Sequence, residues 1–161
     1  ASYLDAVLMM SVLPVKLRFA AKGRLTRYPI LGTAIRKGNH IRIEKSDFTK
    51  LIAGAGAVVE TIREGESLFV FPEGTFVDSP GLLPFRLGAF RAAVETSRPI
   101  IPIAISGTRH ILTAKTKLLR PGRITVTISP PLVPSGDNWQ EIVRLRDTAR
   151  AVIEQTAREQ K

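Results

Sequence analysis

Residues 69–90 read FVFPEGTFVDSPGLLPFRLGAF and contain the residue types in this chain that are best suited to chemistry. Glu73 and Gly74 follow an apolar, strand-like segment, so a carboxylate and a flexible residue stand where a strand is expected to end. A turn of this kind can present backbone N–H groups to a phosphate or an acyl oxygen. The same residues could serve structure alone, with Glu73 accepting N–H bonds and Gly74 supplying a positive φ.

Other reactive patterns are missing from the sequence. It has no Walker A, GxGxxG, GxSxG or HExxH pattern and no cysteine, which disfavours a serine-triad hydrolase and excludes thiolate chemistry. Its two histidines, His40 and His110, are too few and too far apart to form a metal site. We therefore expect no metal site.

Positive charge is concentrated in two segments of a chain whose net charge is +10. Residues 15–50 hold ten Lys or Arg and two acids, and residues 98–123 hold six Lys or Arg and no acid. Such blocks favour an anionic partner, which could be a phosphorylated metabolite, an anionic lipid surface or nucleic acid, although a merely soluble basic surface is the alternative. No apolar run approaches the ~20 residues that span a bilayer, so we expect any membrane contact of this chain to be peripheral.

Strand-like and helical patterns alternate along the chain. Apolar runs at residues 68–71 and 100–105 are typical of strands buried on both faces. Helical spacing of apolar residues predicts helices at residues 48–62 and 139–153. Shorter helices are expected at residues 4–13 and 28–36, and further strands at residues 16–20, 41–44 and 124–128. This alternation predicts an α/β fold with a largely parallel central sheet flanked by helices, in one domain that spans residues 1–161. In such sheets, sites lie beyond the carboxyl ends of the strands.

Three motifs, FPEGT, GLLPFRLGAF and PIIPIAISGTR, resemble in this order the glycerolipid acyltransferase family, which contains the lysophosphatidic acid acyltransferases. The family's third block is close to FPEGTRS and is matched by residues 71–75, and its fourth block, an apolar strand around a proline, is matched by residues 101–103. The second block ends in a basic residue after an apolar strand, and Lys45 stands there, where arginine is commoner. The resemblance covers nearly the whole chain and implies a glycerolipid acyltransferase-like fold.

The resemblance implies transfer of a fatty acyl group to a hydroxyl of a lysophospholipid such as lysophosphatidic acid. The donor would be a thioester, either acyl-CoA or acyl carrier protein. The substrate-binding residues would be Lys45, Glu73, Gly74, Thr75, Arg86 and Arg109. The arginine that usually follows FPEGT is Phe76 here. Either a nearby arginine (Arg86, Arg91 or Arg109) supplies the charge for the substrate phosphate, or the acceptor has a larger head group.

The family's first block is His-x-x-x-x-Asp, and Asp5 matches its aspartate. On residue type alone Asp5 could cap the first helix. The resemblance implies instead that Asp5 orients a histidine base that removes the proton of the acceptor hydroxyl. Neither His40 nor His110 has an aspartate five residues later, so the block's spacing puts this histidine immediately before Ala1. We therefore expect a chain truncated at its N-terminus, inactive by itself and derived from an active parent.

The expected location is cytoplasmic and peripheral to the membrane. Four basic residues flank the apolar run YPILGTAI, a mixture that suits an anionic lipid surface: Arg24, Arg27, Arg36 and Lys37.

FPEGTF and PFRLGAF also resemble the acyltransferase halves of bacterial multidomain lipid enzymes, so fusion to other domains is one interpretation. The alternative function is a non-catalytic module that binds anionic membranes or nucleic acid. Nucleic acid is not expected as a partner, because aromatic residues make up only 6% of the chain and do not alternate with basic ones.

Overall fold

A computed structural model describes residues 3–13, 17–22, 41–43, 48–75, 81–111 and 120–159. The chain divides into two compact units, one of residues 1–11 and 72–161 and the other of residues 12–71. The helix predicted at residues 28–36 lies outside the described residues, as do Phe76 and the predicted site residues Arg24, Arg27, Arg36, Lys37 and Lys45.

The unit of residues 12–71 contains a three-stranded parallel sheet. Its central strand β1 (Leu17–Lys22) pairs with β2 (Ile41–Ile43) on one side and with β3 (Ser67–Phe69) on the other. Helix α2 (Phe48–Arg63) connects β2 to β3 and packs against both strands, as a crossover between parallel strands must. The predicted α/β fold with a parallel sheet is therefore confirmed in this unit.

Helix α2 ends in a Schellman motif. Gly65 adopts a φ of +83°, its N–H donates to the carbonyl of Ile62 at 3.1 Å, and the N–H of Glu66 donates to the carbonyl of Thr61 at 3.2 Å. These two bonds satisfy carbonyls that the helix leaves without partners, and the left-handed φ explains why glycine stands here.

Arg18 of β1 ties the sheet to the end of α2. Its Nη1 donates to the hydroxyl of Thr61 at 3.2 Å, and its Nε lies 3.3 Å from the carboxylate of Glu66. The neighbouring rings of Phe19 and Phe69 pack with their centroids 5.2 Å apart. At least one cation of the basic segment 15–50 is thus used inside the fold.

The other unit is helical with a small antiparallel sheet. Its elements are α1 (Tyr3–Val12, of which the last residue falls in the other unit), α3 (Gly88–Thr96), β4 (Ile103–Ser106), α4 (Thr108–Ile111), β5 (Thr125–Ile128) and α5 (Trp139–Glu159). Helices α3 and α5 pack together, and β4 pairs antiparallel with β5. The buried cluster at the centre of this unit consists of Phe85, Phe90, Val94, Ile142, Leu145 and Ala149.

The predicted strand at residues 100–105 is interrupted at Pro102. Strand β4 begins only at Ile103, while Ile100 forms an isolated bridge with Leu132. Pro102 lies between these two pairings, and its carbonyl accepts a bond from the N–H of Ser129 at 3.0 Å. Because proline has no N–H to donate, the ladder cannot continue through it unbroken.

Gly107 allows a close approach between the end of β4 and the start of β5. It has a φ of +88°, and a Cβ at this position would lie 2.0 Å from the carbonyl oxygen of Arg123. No side chain fits there without moving the backbone. The glycine of the SGTR motif is therefore required by packing.

Candidate functional site

The FPEGT motif forms a tight turn after β3, which we call the PEG turn (residues 72–74). Strand β3 ends at Phe69, so Glu73 lies four residues beyond the strand along the chain. Gly74 adopts a φ of +62°, in the left-handed region that glycine enters without strain. The turn therefore follows a strand along the chain, as the sequence predicts.

Three hydrogen bonds fasten the PEG turn to the segment that precedes α3. The Glu73 carboxylate accepts a bond from the N–H of Leu83 at 3.1 Å. The N–H of Arg86 donates to the Pro72 carbonyl at 2.9 Å, and Nε of Arg86 donates to the Glu73 carbonyl at 3.4 Å. Glu73 is only 9% exposed, so its carboxylate is a buried acceptor that shapes the turn.

Arg86 lies beside the PEG turn with an exposed side chain. Within the described residues its Nε reaches the turn and its Nη groups have no acidic partner. A guanidinium carries five N–H donors in a planar fork, which matches the geometry of a phosphate or carboxylate. The structure thus brings together Glu73, Gly74 and a cation.

Asp5 lies inside α1 and not at its cap. The helix begins at Tyr3, which places Asp5 in the first turn, and the hypothesis that Asp5 is the N-cap is therefore wrong. Its side chain is only 4% exposed. A carboxylate in the first turn of a helix interacts favourably with the positive end of the helix dipole.

The remaining predicted site residues are placed less fully. Thr75 is half-buried directly after the PEG turn, and Arg109 belongs to α4. Sequence reasoning missed the backbone contribution of Leu83, because a hydrogen bond across ten residues leaves no periodic signal.

Among the described residues, no three His, Asp or Glu side chains come together as metal ligands. None of the helices within the described ranges is long and apolar enough to cross a bilayer.

Among the described residues, a carboxylate with a strongly lowered pKa, Glu141, lies in α5, away from these motifs in the sequence. Hydrogen bonds from Arg144 and from the N–H of Ser135 lower the pKa of Glu141 from 4.5 to about 2. The backbone N–H of Glu141 donates to the side-chain Oδ1 of Asn138 at 3.0 Å, which caps the start of α5. Because donors already surround this carboxylate, it holds the start of α5 in place and is not a candidate for catalysis.

Comparisons with known proteins find relatives that match most of the chain. A family model described as Acyltransferase matches residues 1–106. The 1-acyl-sn-glycerol-3-phosphate acyltransferase of Limnanthes alba is 35% identical over 140 residues, which cover 86% of this chain and 49% of that protein. The human 1-acyl-sn-glycerol-3-phosphate acyltransferase beta is 30% identical over 156 residues, which cover 96% of this chain and 56% of that protein. The chain thus spans about half the length of the curated relatives that it matches.

A solved structure has the same fold. The crystal structure of the 1-acyl-sn-glycerophosphate (LPA) acyltransferase PlsC from Thermotoga maritima superposes with a TM-score of 0.79 at 24% sequence identity. The match covers 98% of this chain and 62% of that one. The fold expected from the motifs is therefore confirmed.

Proposed function

This chain belongs to the acyltransferase family, and from that premise we propose that the whole protein transfers a fatty acyl group from a thioester donor to a hydroxyl of a lysophospholipid. The observation that carries the proposal is the family match over residues 1–106, which include Asp5, the PEG turn and Arg86. The names of the relatives support 1-acyl-sn-glycerol 3-phosphate, which is lysophosphatidic acid, as the acceptor. Acyl-CoA and acyl carrier protein are the two donors to compare.

In the proposed reaction the acceptor hydroxyl attacks the carbonyl carbon of the thioester. A carbon–oxygen bond forms, the carbon–sulfur bond breaks, and the thiolate leaves with the electron pair of that bond. A histidine of the family's first block takes the hydroxyl proton and passes it to the thiolate. Asp5 holds the imidazole in the tautomer that accepts this proton. The reaction as proposed uses neither a metal nor a bound cofactor.

The PEG turn and Arg86 would position the acceptor and the developing charge. Backbone N–H groups near Gly74 are candidates for the oxyanion, since donors fixed in advance stabilise charge that appears in the transition state. Arg86 would bind the acceptor phosphate in place of the arginine that the family motif carries at the position of Phe76. Its exposed guanidinium beside the turn supports this assignment.

Thr75, Lys45 and Arg109 complete the proposed acceptor site on the strength of the motifs. The protein would work at the cytoplasmic face of an anionic membrane, where its acceptor is dispersed, and the basic run from Arg24 to Lys37 would contribute to that contact.

The test is an acyl-transfer assay on the whole protein. Lysophosphatidic acid is offered with acyl-CoA or with acyl carrier protein, and phosphatidic acid is measured by mass spectrometry. Lysophosphatidylcholine and lysophosphatidylethanolamine serve as acceptors with larger head groups. Product from lysophosphatidic acid alone supports the proposal in full. Product from the larger acceptors would mean that the acceptor is a lysophospholipid with a larger head group. The absence of product with every pair, together with vesicle binding, would favour a non-catalytic membrane module.

A further inference from the structure

We propose that an exposed apolar patch on the β4–β5 side of the molecule inserts into an anionic lipid surface. The patch consists of Ile101, Ile128, Val133 and Trp139, which are between 53% and 61% exposed. It contains none of the residues between Arg24 and Lys37 that the sequence suggests for membrane contact. The inference rests on the peripheral membrane association proposed above and adds the surface that makes the contact.

The pairing of β4 with β5 places two patch residues on one face. Ile103 lies opposite Ile128, and directly opposite residues project to the same side of a sheet. Along the preceding extended segment, burial alternates: Pro102 and Ala104 are buried, while Ile101 is 53% exposed. Side chains two residues apart share a face. Ile101 and Ile128 are therefore on the same outward side.

Val133 continues this outward side past the strand pair. Its neighbour Leu132 forms the bridge with Ile100, and both of these residues pack against the buried core. Because Val133 follows Leu132 in an extended segment, it projects away from the core, and it is 61% exposed.

Hydrogen bonds hold Val133 close to the start of α5, where Trp139 lies. Nη2 of Arg144 donates to the Val133 carbonyl at 3.3 Å, and the carboxylate of Glu141 accepts the N–H of Ser135 at 2.8 Å. Trp139 is the first residue of α5 and is 60% exposed. An exposed indole beside exposed aliphatic side chains is the composition found where proteins meet lipid head groups.

The charge around the patch fits an anionic surface. Residues 96–140, which contain the whole patch, hold six Lys or Arg and a single acid, Asp137. Arg98, Arg120 and Arg123 have exposed side chains, and within the described ranges none of them pairs with an acid. Apolar groups flanked by cations suit insertion into anionic lipid. A second copy of this chain would instead bring the same cations together, which disfavours self-association.

Trp139 makes the test direct, because it is the only tryptophan of the chain. The full chain is mixed, without substrate, with vesicles of phosphatidylglycerol and phosphatidylcholine or of phosphatidylcholine alone. We expect the emission of Trp139 to move to shorter wavelength only with the anionic vesicles. Brominated lipids should quench it, and added salt should weaken the effect.

A double variant tests the aliphatic part of the patch. Ile128→Ser with Val133→Ser should weaken sedimentation with anionic vesicles by about tenfold, since apolar area is lost from the interface. Val12→Ser is the matched control, because Val12 is 54% exposed but lies at the end of α1. It should leave binding nearly unchanged, and circular dichroism should show that each variant is folded.

Three outcomes would overturn the inference. Vesicle binding with unchanged Trp139 emission would mean that another surface makes the contact, while the proposed membrane association would stand. A shift that grows with protein concentration in the absence of vesicles would identify a second copy as the occupant. Equal binding by the double variant and the native chain would remove the patch from the interface.

Discussion

The carboxylate of Glu73 accepts a hydrogen bond from the backbone N–H of Leu83 at 3.1 Å, which joins the PEG turn to the segment that leads into α3. Glu73 is therefore a structural acceptor as well as a site candidate. Substitutions there must be judged on stability and activity together, because a collapsed turn would also abolish binding.

Glu73→Ala should lower the free energy of unfolding by about 1–3 kcal/mol, because it leaves the N–H of Leu83 without its acceptor. Glu73→Gln keeps a carbonyl oxygen at the same place and should retain most of the stability. Chemical denaturation of both variants measures the difference. If Glu73→Ala were as stable as the native chain, the hydrogen bond would contribute nothing.

Arg86→Ala in the whole protein should raise the KM for lysophosphatidic acid by about tenfold or more, since a charge-assisted contact to phosphate is lost. Arg86→Lys should recover part of the affinity, because a lysine keeps the positive charge but lacks the planar fork of donors. Arg91→Ala tests another candidate, because Arg91 is also exposed and lies one turn into α3. Steady-state kinetics decide between them, and a KM effect at Arg91 alone would assign the phosphate contact to that residue.

Asp5→Asn in the whole protein should lower kcat by ~10²–10⁴-fold with little change in KM, because the imidazole loses the partner that fixes its tautomer. Melting curves should accompany the kinetics, since Asp5 is buried in the first turn of α1. A stable variant with native kcat would show that Asp5 has no part in the proton transfer.

Ser97→Gly should stabilise the protein by about 0.5–1 kcal/mol, since a left-handed residue without a Cβ is unstrained. Ser97 has a φ of 52°, and the N–H groups of Ser97 and Arg98 bond the carbonyls of Val94 and Ala93 to close α3. Ser97→Ala keeps the Cβ and should give no gain. Thermal unfolding compares the two, and equal melting temperatures would contradict the strain argument.

Glu141→Gln should reduce the loss of stability on acidification. The folded pKa of Glu141 is about 2, below its ordinary value of 4.5, because Arg144 and the N–H of Ser135 bind the charged form. A lowered folded pKa adds stability above pH ~4.5, and that contribution disappears as the pH falls towards 2. Urea unfolding at pH 7, 4 and 2.5 measures the slope, with Glu64→Gln as an exposed control. An unchanged slope would mean that the Arg144 contact is not held in solution.

Local pattern was enough to predict helices α1, α2 and α5, a parallel sheet in the unit of residues 12–71, and the family. The apolar spacing of α2 and α5 belongs to each helix alone, and Gly65 marks the end of α2 by its backbone freedom. The FPEGT, PFRLGAF and PIIPIAISGTR motifs identified the family because each is a short continuous stretch of sequence. The apolar stripe of α5 stops at Ile153, and charged pairs such as Glu154 with Arg158 continue the helix to Glu159.

Only the tertiary structure decided what the candidate site residues touch. The N–H of Leu83 reaches Glu73 where the neighbouring Phe85 packs into the buried cluster. A residue type reveals that a carboxylate can accept a bond, but not which N–H reaches it across a loop. Likewise, Ile101 and Ile128 lie on the same face because of the register between β4 and β5, and that register depends on contacts between residues far apart in the sequence.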